Sequence, residues 1–388
     1  MKICLVHNAY GKFSGEEAVV RDIKALLSKH GHEVIAFERS SAELPAIWLG
    51  ALRAFFSGIY NPWSRKQFRD LLRRECPDIV HVHNLFPFIS PSILPEAKSA
   101  GIPVVMTVHN YRLVCPNGLH YVNGRICERC VGGHEYWCVF KNCAGAFGKS
   151  LGYALRNWRA RVCRFFQNNI SVFACLTEFQ RNRLIQSGFS ADQLVVVPNM
   201  VQISDKELPI QDGEYIGFSG RLSKEKGIST LVEAAKKCRD IPFSAVGGYS
   251  STPGLIAGIP DNFKLLGFCV GEKLEIFYLR AQVIVLPSIC FEGFPTVLIE
   301  AMLASKPIIC SRIGGLPEIV EDGVTGLLVE PGNAEDLAEK IRYLWRRPEL
   351  CRQMGAAGRE KALREYSPDK YYERLMGVYK KARELCGN

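Results

Sequence analysis

Short apolar runs rich in β-branched residues alternate with amphipathic stretches along all 388 residues of the chain. This alternation is typical of α/β proteins, in which helices cover the faces of parallel sheets. The predicted strands of the first half are Lys2–His7, Glu33–Phe37, Ile79–His83, Pro103–His109, Ser171–Leu176 and Leu194–Val197. Those of the second half are Tyr215–Ser219, Phe243–Val246, Phe263–Leu266, Val283–Pro287, Ile308–Ser311 and Gly326–Val329. The pattern predicts two Rossmann-like domains.

The polar segment Met200–Glu214 separates the two sets of strands and is the predicted linker. We expect a first domain over residues 1–198, a second over residues 199–366, and a C-terminal helix over residues 367–388 that crosses back to the first domain. Two such domains are expected to face each other across a cleft. Open α/β sheets bind ligands in clefts and at the carboxyl edges of their strands.

The formal net charge of +10 lies in the first half of the chain. Residues 1–198 hold 24 Lys and Arg against 14 Asp and Glu, whereas residues 199–388 hold 25 of each. This asymmetry predicts a polyanionic neighbour, either nucleic acid or an anionic membrane surface. The sequence has no secretion signal and no run of 18 apolar residues, so we expect a cytoplasmic protein whose fifteen cysteines are reduced.

Two carboxylates, Glu292 and Glu300, flank a predicted helix start that follows a strand. Pro295 suits the first helical position, where its missing N–H costs nothing. The amides of Gly293, Phe294 and Thr296 would then lie at a helix N-terminus, which is a common site for phosphate. The segment therefore predicts a site for a sugar joined to a nucleotide through a diphosphate.

Basic and glycine-rich motifs support this prediction. Arg221 and Lys226 lie between a strand and a helix and would neutralise a diphosphate. Gly11 and Gly15 follow the first strand, where glycine lets a ligand approach the backbone closely. His109 ends a strand of the first half, where its side chain would face the cleft.

These motifs, in this order, resemble those of the family 4 retaining glycosyltransferases, bacterial polysaccharide and glycolipid type, which have the GT-B fold. The resemblance also rests on Gly314-Gly315-Leu316-Pro317-Glu318. It implies transfer of a sugar from a nucleotide-diphosphate sugar to a glycan or lipid-linked acceptor, with retention of configuration and no metal at the active centre. The first domain would bind the acceptor and the second the donor.

The resemblance also implies a role for each motif. Arg221 and Lys226 would grip the donor diphosphate, while Glu292 would contact hydroxyls of the donor sugar and Glu300 those of the ribose. By the same resemblance, the backbone amides of Gly293–Thr296 would hold phosphate or sugar, and His109 would lie near the transferred sugar. Gly15 would lie close to the phosphates, and Leu266-Gly267-Phe268 would lie against the base.

A cysteine-rich insertion interrupts the first half. Cys127 and Cys130 have the C-x2-C spacing typical of zinc ligands, and Cys138 and Cys143 would complete a structural site. Cys115, His120 and His134 are substitute ligands. A metal would help a segment with little apolar core to fold; the alternative is a loop of free thiols packed against the domain.

Two segments of the first half, Trp48–Lys66 and Lys149–Arg164, combine aromatic residues with Arg and Lys. Basic amphipathic stretches of this kind bind anionic membrane surfaces. The alternative is a solvated helix face over an ordinary core.

Three other functions would use some of the same features. A glycosidase would use two carboxylates, but a separation of about 12 Å along a helix exceeds the roughly 5–9.5 Å such pairs need. A sugar-nucleotide epimerase, or another enzyme acting on a nucleotide sugar without an acceptor, is the main alternative. Nucleic-acid binding would explain the basic half but not the diphosphate motifs, and we expect none.

Overall fold

The computed structural model describes residues 1–11, 14–46, 50–203, 213–248 and 258–387. Two compact units are present: the first contains Met1–His120, Cys127–Asn199 and the chain from Tyr371 onwards, and the second contains Tyr121–Ile126 and Met200–Lys370. Parts of three sequence predictions lie outside the described residues, namely positions 12–13 of the glycine loop, Trp48, and positions 204–212 of the linker.

The strands in chain order are β1 (Lys2–Ala9), β2 (Glu33–Ser40), β3 (Ile79–Asn84), β4 (Val104–Val108), β5 (Tyr121–Val122), β6 (Arg125–Ile126), β7 (Val172–Cys175), β8 (Leu194–Val196), β9 (Tyr215–Ser219), β10 (Phe243–Val246), β11 (Phe263–Gly267), β12 (Ala281–Leu286), β13 (Ile308–Ser311) and β14 (Gly326–Val329). The strands of the two six-stranded sheets lie within one or two residues of the predicted bounds, apart from β2, which extends three residues further. Only the short β5 and β6 were not predicted.

The helices are α1 (Gly15–Lys29), α2 (Gly50–Ile59), α3 (Pro62–Glu75), α4 (Leu94–Ser99), α5 (Tyr136–Phe140), α6 (Phe147–Val162), α7 (Phe165–Asn169), α8 (Glu178–Gln186), α9 (Ile228–Lys237), α10 (Glu272–Arg280), α11 (Thr296–Leu303), α12 (Leu316–Ile319), α13 (Ala334–Trp345), α14 (Pro348–Glu365) and α15 (Pro368–Gly387). Within the described part of the chain, no helix combines the length and the apolar composition needed to cross a membrane.

The first unit is built on six parallel strands in the order β2-β1-β3-β4-β7-β8. The strands β3, β4 and β7 are buried along their whole length, as expected where helices cover both faces of a parallel sheet. Ser14 caps α1 by accepting a hydrogen bond from the backbone N–H of Glu17 at 3.3 Å. The cap fixes the start of α1 directly after β1.

The C-terminal helix α15 packs against this first sheet. Tyr371 and Tyr379 are buried, and the hydroxyl of Tyr379 lies 2.8 Å from Nδ1 of His81 on β3. The unit boundaries after Asn199 and after Lys370 lie close to the predicted domain limits at residues 198 and 366. The C-terminal segment therefore belongs to the first unit.

The second unit is built on six parallel strands in the order β11-β10-β9-β12-β13-β14. Counted from β9, this is the order 3-2-1-4-5-6 of the Rossmann fold, in which the direction of chain progression reverses between the first and fourth strands. The short antiparallel hairpin β5–β6, which lies within the cysteine-rich insertion in sequence, is part of this unit.

Candidate active site

Two loops leave the carboxyl ends of β9 and β12, the adjacent strands between which the order of the second sheet reverses. The loop after β9 carries Arg221 and Lys226, and the loop after β12 carries Glu292. A hydrogen bond of 2.9 Å from the N–H of Ile289 to the carbonyl oxygen of Glu225 joins the two loops. Since open α/β sheets bind ligands at such a position, the strand order brings the two strongest sequence motifs to one site.

Gly227 makes the close approach of these loops possible. Its φ of +74° is in the left-handed region, and a Cβ at this position would lie 1.8 Å from the carbonyl oxygen of Pro287. No side chain fits at that distance, so the glycine after Lys226 is required by packing as well as by backbone conformation.

Lys226 and Glu292 form an ion pair at the centre of the site. The Nζ of Lys226 lies 2.8 Å from each carboxylate oxygen of Glu292, and the hydroxyl of Ser288 donates to Oε1 at 2.6 Å. The two charged side chains are only 17% and 10% exposed. Water screens such a pair less than a surface pair, so the contact holds the carboxylate in a defined orientation.

Arg221, by contrast, is largely exposed. Its side chain is 66% accessible, and its Nη2 lies 3.3 Å from Oε1 of Glu225, four residues further along. The Glu225 side chain is only 16% exposed, but the guanidinium itself lies in water, which weakens the pair. The guanidinium can therefore turn towards an anion at little cost.

Helix α11 begins at Thr296, one residue later than predicted, and Pro295 is the residue before it, with φ −72°. Because the first N–H groups of a helix have no partner within the helix, they can bind an anion. Phe294 is buried, and its ring packs edge-to-face on Tyr366 with centroids 5.3 Å apart. The Phe294 ring therefore serves the core, and ligand contacts by the amides of Gly293 and Phe294, which precede the helix, stay a prediction.

Glu300 lies on α11 and is held by its neighbours. The hydroxyl of Tyr278 donates to its Oε2 at 2.7 Å, and the side chain of Thr296 also bonds to it. Burial raises the pKa of the Glu300 carboxyl above its ordinary value. The predicted contact with ribose hydroxyls stays a prediction, and Tyr278 would keep the carboxyl group oriented for it.

The β11–α10 connection exposes apolar surface next to Gly267. Phe268 is 56% exposed, and Leu266 and Val270 are also exposed. Exposed aromatic surface of this kind suits stacking by a nucleotide base. The predicted position of the base against Phe268 and Gly267 stays a prediction.

In the first unit, His109 directly follows β4 and pairs with a second histidine. Its Nε2 lies 2.9 Å from Nδ1 of His83 at the end of β3. Burial lowers the pKa of His109 to about 3, so the ring is uncharged at neutral pH. Gly15 begins α1, and a Cβ there would meet no described atom within 4 Å, so Gly15 is not required by packing.

The four cysteines of the predicted zinc site are only partly brought together. Cys130 and Cys138 pack with Ala154 in a small core, with Cys143 alongside. Among the described residues, no group of three or more His, Cys, Asp or Glu side chains is placed to hold a metal ion. The thiols of Cys127, Cys130, Cys138 and Cys143 thus do not fit zinc in this geometry, and structural zinc stays a prediction that elemental analysis of the purified protein tests.

The substitute zinc ligands bind other groups. Nδ1 of His120 lies 3.3 Å from the carbonyl oxygen of Cys127, and Nδ1 of His134 lies 3.0 Å from that of Val131. The thiol of Cys115 donates to the side chain of Asn117. None of the fifteen cysteines, all of which lie within the described part of the chain, forms a disulfide.

Sequence reasoning missed Ser288 and Tyr278, which hold Glu292 and Glu300. Ser288 directly follows the predicted strand that ends at Pro287, so its position at a sheet edge was a usable signal. Tyr278 lies within α10, and no local pattern distinguishes it from a core tyrosine. Only the hydrogen bond from Tyr278 on α10 to Glu300 on α11 shows its role.

Comparisons with known proteins match both halves of the chain. The family model described as Glycosyltransferase Family 4 matches residues 13–205, and the model described as Glycosyl transferases group 1 matches residues 201–361. An uncharacterised glycosyltransferase of Methanocaldococcus jannaschii is 32% identical over 228 residues, which are 57% of this chain and 62% of that protein. The match therefore spans less than two thirds of that relative.

Two further matches cover most of the chain. The alpha-D-kanosaminyltransferase of Streptomyces kanamyceticus is 26% identical over 353 residues, 85% of each protein. A crystal structure of Anabaena HepE in complex with UDP and glucose aligns with a TM-score of 0.67 and 19% identity, covering 98% of this chain and 99% of that one. This likeness shows a shared fold, and the two parallel α/β units have the GT-B fold that the sequence predicted.

Proposed function

The chain is a glycosyltransferase that belongs to family 4, and from this premise we propose that it moves a sugar from a nucleotide-diphosphate donor to a glycan or lipid-linked acceptor. We further propose that the anomeric configuration is retained and that no metal acts at the active centre. The pairing of Lys226 with Glu292 at the reversal point of the second sheet carries this proposal.

The donor site needs positive charge for the diphosphate and a hydrogen-bond acceptor for the sugar. Arg221 is exposed, and its contact with Glu225 is 3.3 Å long, so the guanidinium can turn to bind a phosphate in bidentate fashion. The amides at the start of α11 add the positive end of a helix dipole. Glu292, oriented by Lys226 and Ser288, would accept hydrogen bonds from sugar hydroxyls. HepE, which shares the fold, was crystallised with UDP and glucose, so we propose a uridine diphosphate sugar as the first donor to test.

Departure of the diphosphate is the costly step, because negative charge builds on the leaving phosphate while the sugar becomes cationic. Arg221, Lys226 and the helix amides would stabilise that phosphate, and such preorganised charge is usually the largest catalytic contribution. These groups supply the charge that a divalent cation would otherwise provide. Ser288 and Lys226 hold both oxygens of Glu292 in hydrogen bonds. This favours a mechanism in which the leaving phosphate takes the proton of the acceptor on the same face of the sugar.

Transfer itself tests the proposal. Nucleotides and nucleotide sugars are first screened for a rise in melting temperature, and the stabilising donor is then incubated with candidate acceptors with and without a chelator. We expect a product of retained configuration by NMR and a rate that the chelator does not change. An inverted product, or loss of activity with the chelator, would contradict the mechanism. Product formed without any acceptor would favour the epimerase alternative.

A surface of exposed apolar residues in the first unit supports a membrane-associated acceptor. The four most exposed large apolar side chains of the described residues are Trp63 at 78%, Phe140 at 77%, Phe147 at 67% and Phe56 at 59%. They lie on α2, α3, α5 and α6, and α6 packs against both α2 and α5. We call the exposed apolar side chains of these four helices the aromatic surface.

On helix α6, the apolar residues of the aromatic surface lie on one side of the helix. Phe147, Leu151, Leu155, Trp158 and Val162 recur every three or four residues and so share one side of the helix. Phe147, Trp158 and Val162 are exposed, and Leu151 and Leu155 are half-buried, whereas Ser150, Ala154, Asn157 and Ala160 on other sides are buried. Residues 136–177 hold six Lys and Arg and no Asp or Glu; Arg156 is buried and Arg161 pairs with Glu135, which leaves Lys141, Lys149, Arg159 and Arg164. Apolar side chains with surrounding cationic charge fit an anionic membrane, and we propose peripheral binding there.

Binding to lipid vesicles tests the proposed peripheral binding to an anionic membrane. The double variant Phe147→Ser with Trp158→Ser should weaken binding to vesicles containing phosphatidylglycerol at least about tenfold, since each side chain loses apolar burial worth more than 1 kcal/mol. The matched control, Tyr343→Ser with Leu385→Ser, removes two exposed side chains on α13 and α15 and should bind as the unaltered protein does. Equal binding to vesicles of pure phosphatidylcholine, or no effect of the first pair, would count against the membrane surface.

A further inference from the structure

The first sheet has its own reversal point, between β1 and β3. His7 near the end of β1 lies opposite Asn84, the last residue of β3, and His83 precedes Asn84. Helix α1 starts just after β1 and carries Glu16 in its first turn. The topology therefore gathers His7, His83 and Glu16 at the position where open α/β sheets bind ligands.

These three side chains are buried and incompletely hydrogen-bonded. His7 is 4% exposed and His83 is 3% exposed, and the Glu16 side chain is nine-tenths buried. Both ring nitrogens of His7, Nε2 of His83 and Oε1 of Glu16 have no hydrogen-bond partner among the described residues. Buried polar atoms are nearly always hydrogen-bonded, so four such atoms in one place indicate that a ligand or water binds there.

The geometry brings the unpaired atoms close together. Nδ1 of His7 lies 3.9 Å from Oε1 of Glu16, too far for a hydrogen bond, and the rings of His7 and His83 are 6.4 Å apart. The Glu16 carboxyl group cannot turn freely, because the hydroxyl of Tyr10 donates to Oε2 at 2.8 Å and Arg112 donates to that hydroxyl at 2.9 Å. One oxygen of Glu16 is thus held in place, and the other is left for a ligand.

The charges of these groups select the class of ligand. Burial lowers the pKa of His7 to about 4, so the ring is neutral at physiological pH, and burial raises the pKa of Glu16 to about 7. Glu16 is thus partly protonated at neutral pH, and the guanidinium of Arg112 lies behind Tyr10, so these groups offer no strong net charge to an ionic ligand. A neutral imidazole and a carboxyl group both pair well with hydroxyls, which donate and accept hydrogen bonds.

We propose that His7, Glu16 and His83 form a binding site for the hydroxyls of an uncharged sugar ring, and that this ring belongs to the acceptor. The assignment to the acceptor rests on the proposed function, in which the donor binds the second unit. The competing explanation is buried water alone: a cavity of about 20 Å³ beside His83 and His109 has room for roughly one water molecule.

Binding of simple methyl glycosides to the full chain tests the site without any nucleotide. Methyl glucoside, galactoside and mannoside are offered at millimolar concentration, and binding is followed by saturation-transfer NMR. We expect at least one to bind, and Glu16→Gln and His7→Gln each to weaken it at least tenfold. Tyr10→Phe, which removes only the hydroxyl that holds Glu16, should weaken it less.

Matched controls keep the test specific. Glu33→Gln and His30→Gln alter the same residue types elsewhere in the first unit and should leave glycoside binding unchanged. Circular dichroism identifies variants that fail to fold. If Glu16→Gln and His7→Gln fail to fold, the effect of Tyr10→Phe decides: weaker glycoside binding supports the site, and unchanged binding contradicts it. If no methyl glycoside binds the unaltered protein, or if the variants bind as it does, the site holds water only and the proposal is wrong.

Kinetics with an active acceptor identifies the occupant. We expect Glu16→Gln to raise the acceptor KM at least tenfold and to leave the donor KM within twofold. A raised donor KM with an unchanged acceptor KM would overturn the assignment to the acceptor. Failure of every nucleotide to stabilise the protein would contradict the proposed function instead, and the glycoside measurement distinguishes the two failures.

Discussion

Replacing Lys226 with alanine should lower the rate of sugar transfer by roughly 10²–10³-fold or more, while the protein stays folded. The ammonium group lies 2.8 Å from each oxygen of the Glu292 carboxylate, and both side chains are largely buried. The variant removes charge from the leaving phosphate and also releases the carboxylate that would orient the sugar. Glu292→Ala should cause a comparable loss, because the sugar then loses its hydrogen-bond acceptor.

A second lysine provides a matched control. Lys236 forms an ion pair of the same length, 2.8 Å, with Glu233 on α9, but both side chains are exposed. Lys236→Ala should therefore change neither transfer nor stability measurably. The rates are measured at saturating donor, with donor binding followed by calorimetry. Near-normal turnover in both Lys226→Ala and Glu292→Ala would remove this site from the chemistry.

Replacing Gly227 with alanine should destabilise the second unit by about 3 kcal/mol or more, because a Cβ would overlap the carbonyl oxygen of Pro287 and strain a left-handed backbone. The backbone must move to relieve the overlap, and it joins Lys226 to α9. We therefore expect the variant to lose donor binding together with stability. Calorimetric and urea unfolding measure the first effect, and nucleotide binding measures the second.

A comparison with Gly323 separates the two causes of destabilisation, the overlap with Pro287 and the backbone strain. Its φ is +79°, close to the +74° of Gly227, but a Cβ there would meet no described atom within 4 Å. Gly323→Ala should cost about 1 kcal/mol from backbone strain alone. The difference between the two variants then measures the overlap with Pro287. Equal destabilisation would mean that the close approach of the two loops has no energetic consequence.

The positions of the strands could be predicted because they depend on local pattern. Tyr215–Ser219, Phe243–Val246, Ile308–Ser311 and Gly326–Val329 were predicted with the bounds that the structure has. Each is a short apolar run bounded by polar or turn residues, so burial and propensity agree. The pair β5–β6 was missed because strands of two residues carry no periodicity.

The motifs that carry charge could also be predicted, but their partners could not. Arg221, Lys226 and Glu292 were expected to contact a ligand, and the sequence contained no sign that Lys226 and Glu292 bind each other. Sixty-six positions separate the two residues, and they meet only because β9 and β12 are neighbours in the sheet. The cysteine spacing shows the same limit, since it does not determine how the long insertion packs, and the structural zinc stays a prediction.

The sequence alone therefore determined the fold class and the family, and it predicted which residues would bind a donor, because strand periodicity and motif spacing are local properties. The tertiary structure decided which groups orient those residues, as Ser288 does for Glu292 and Tyr278 for Glu300. It also decided which buried atoms are left without partners, as in His7 and Glu16. The physical reason is that hydrogen-bond partners depend on strand order and on helix packing, which join residues far apart in the chain.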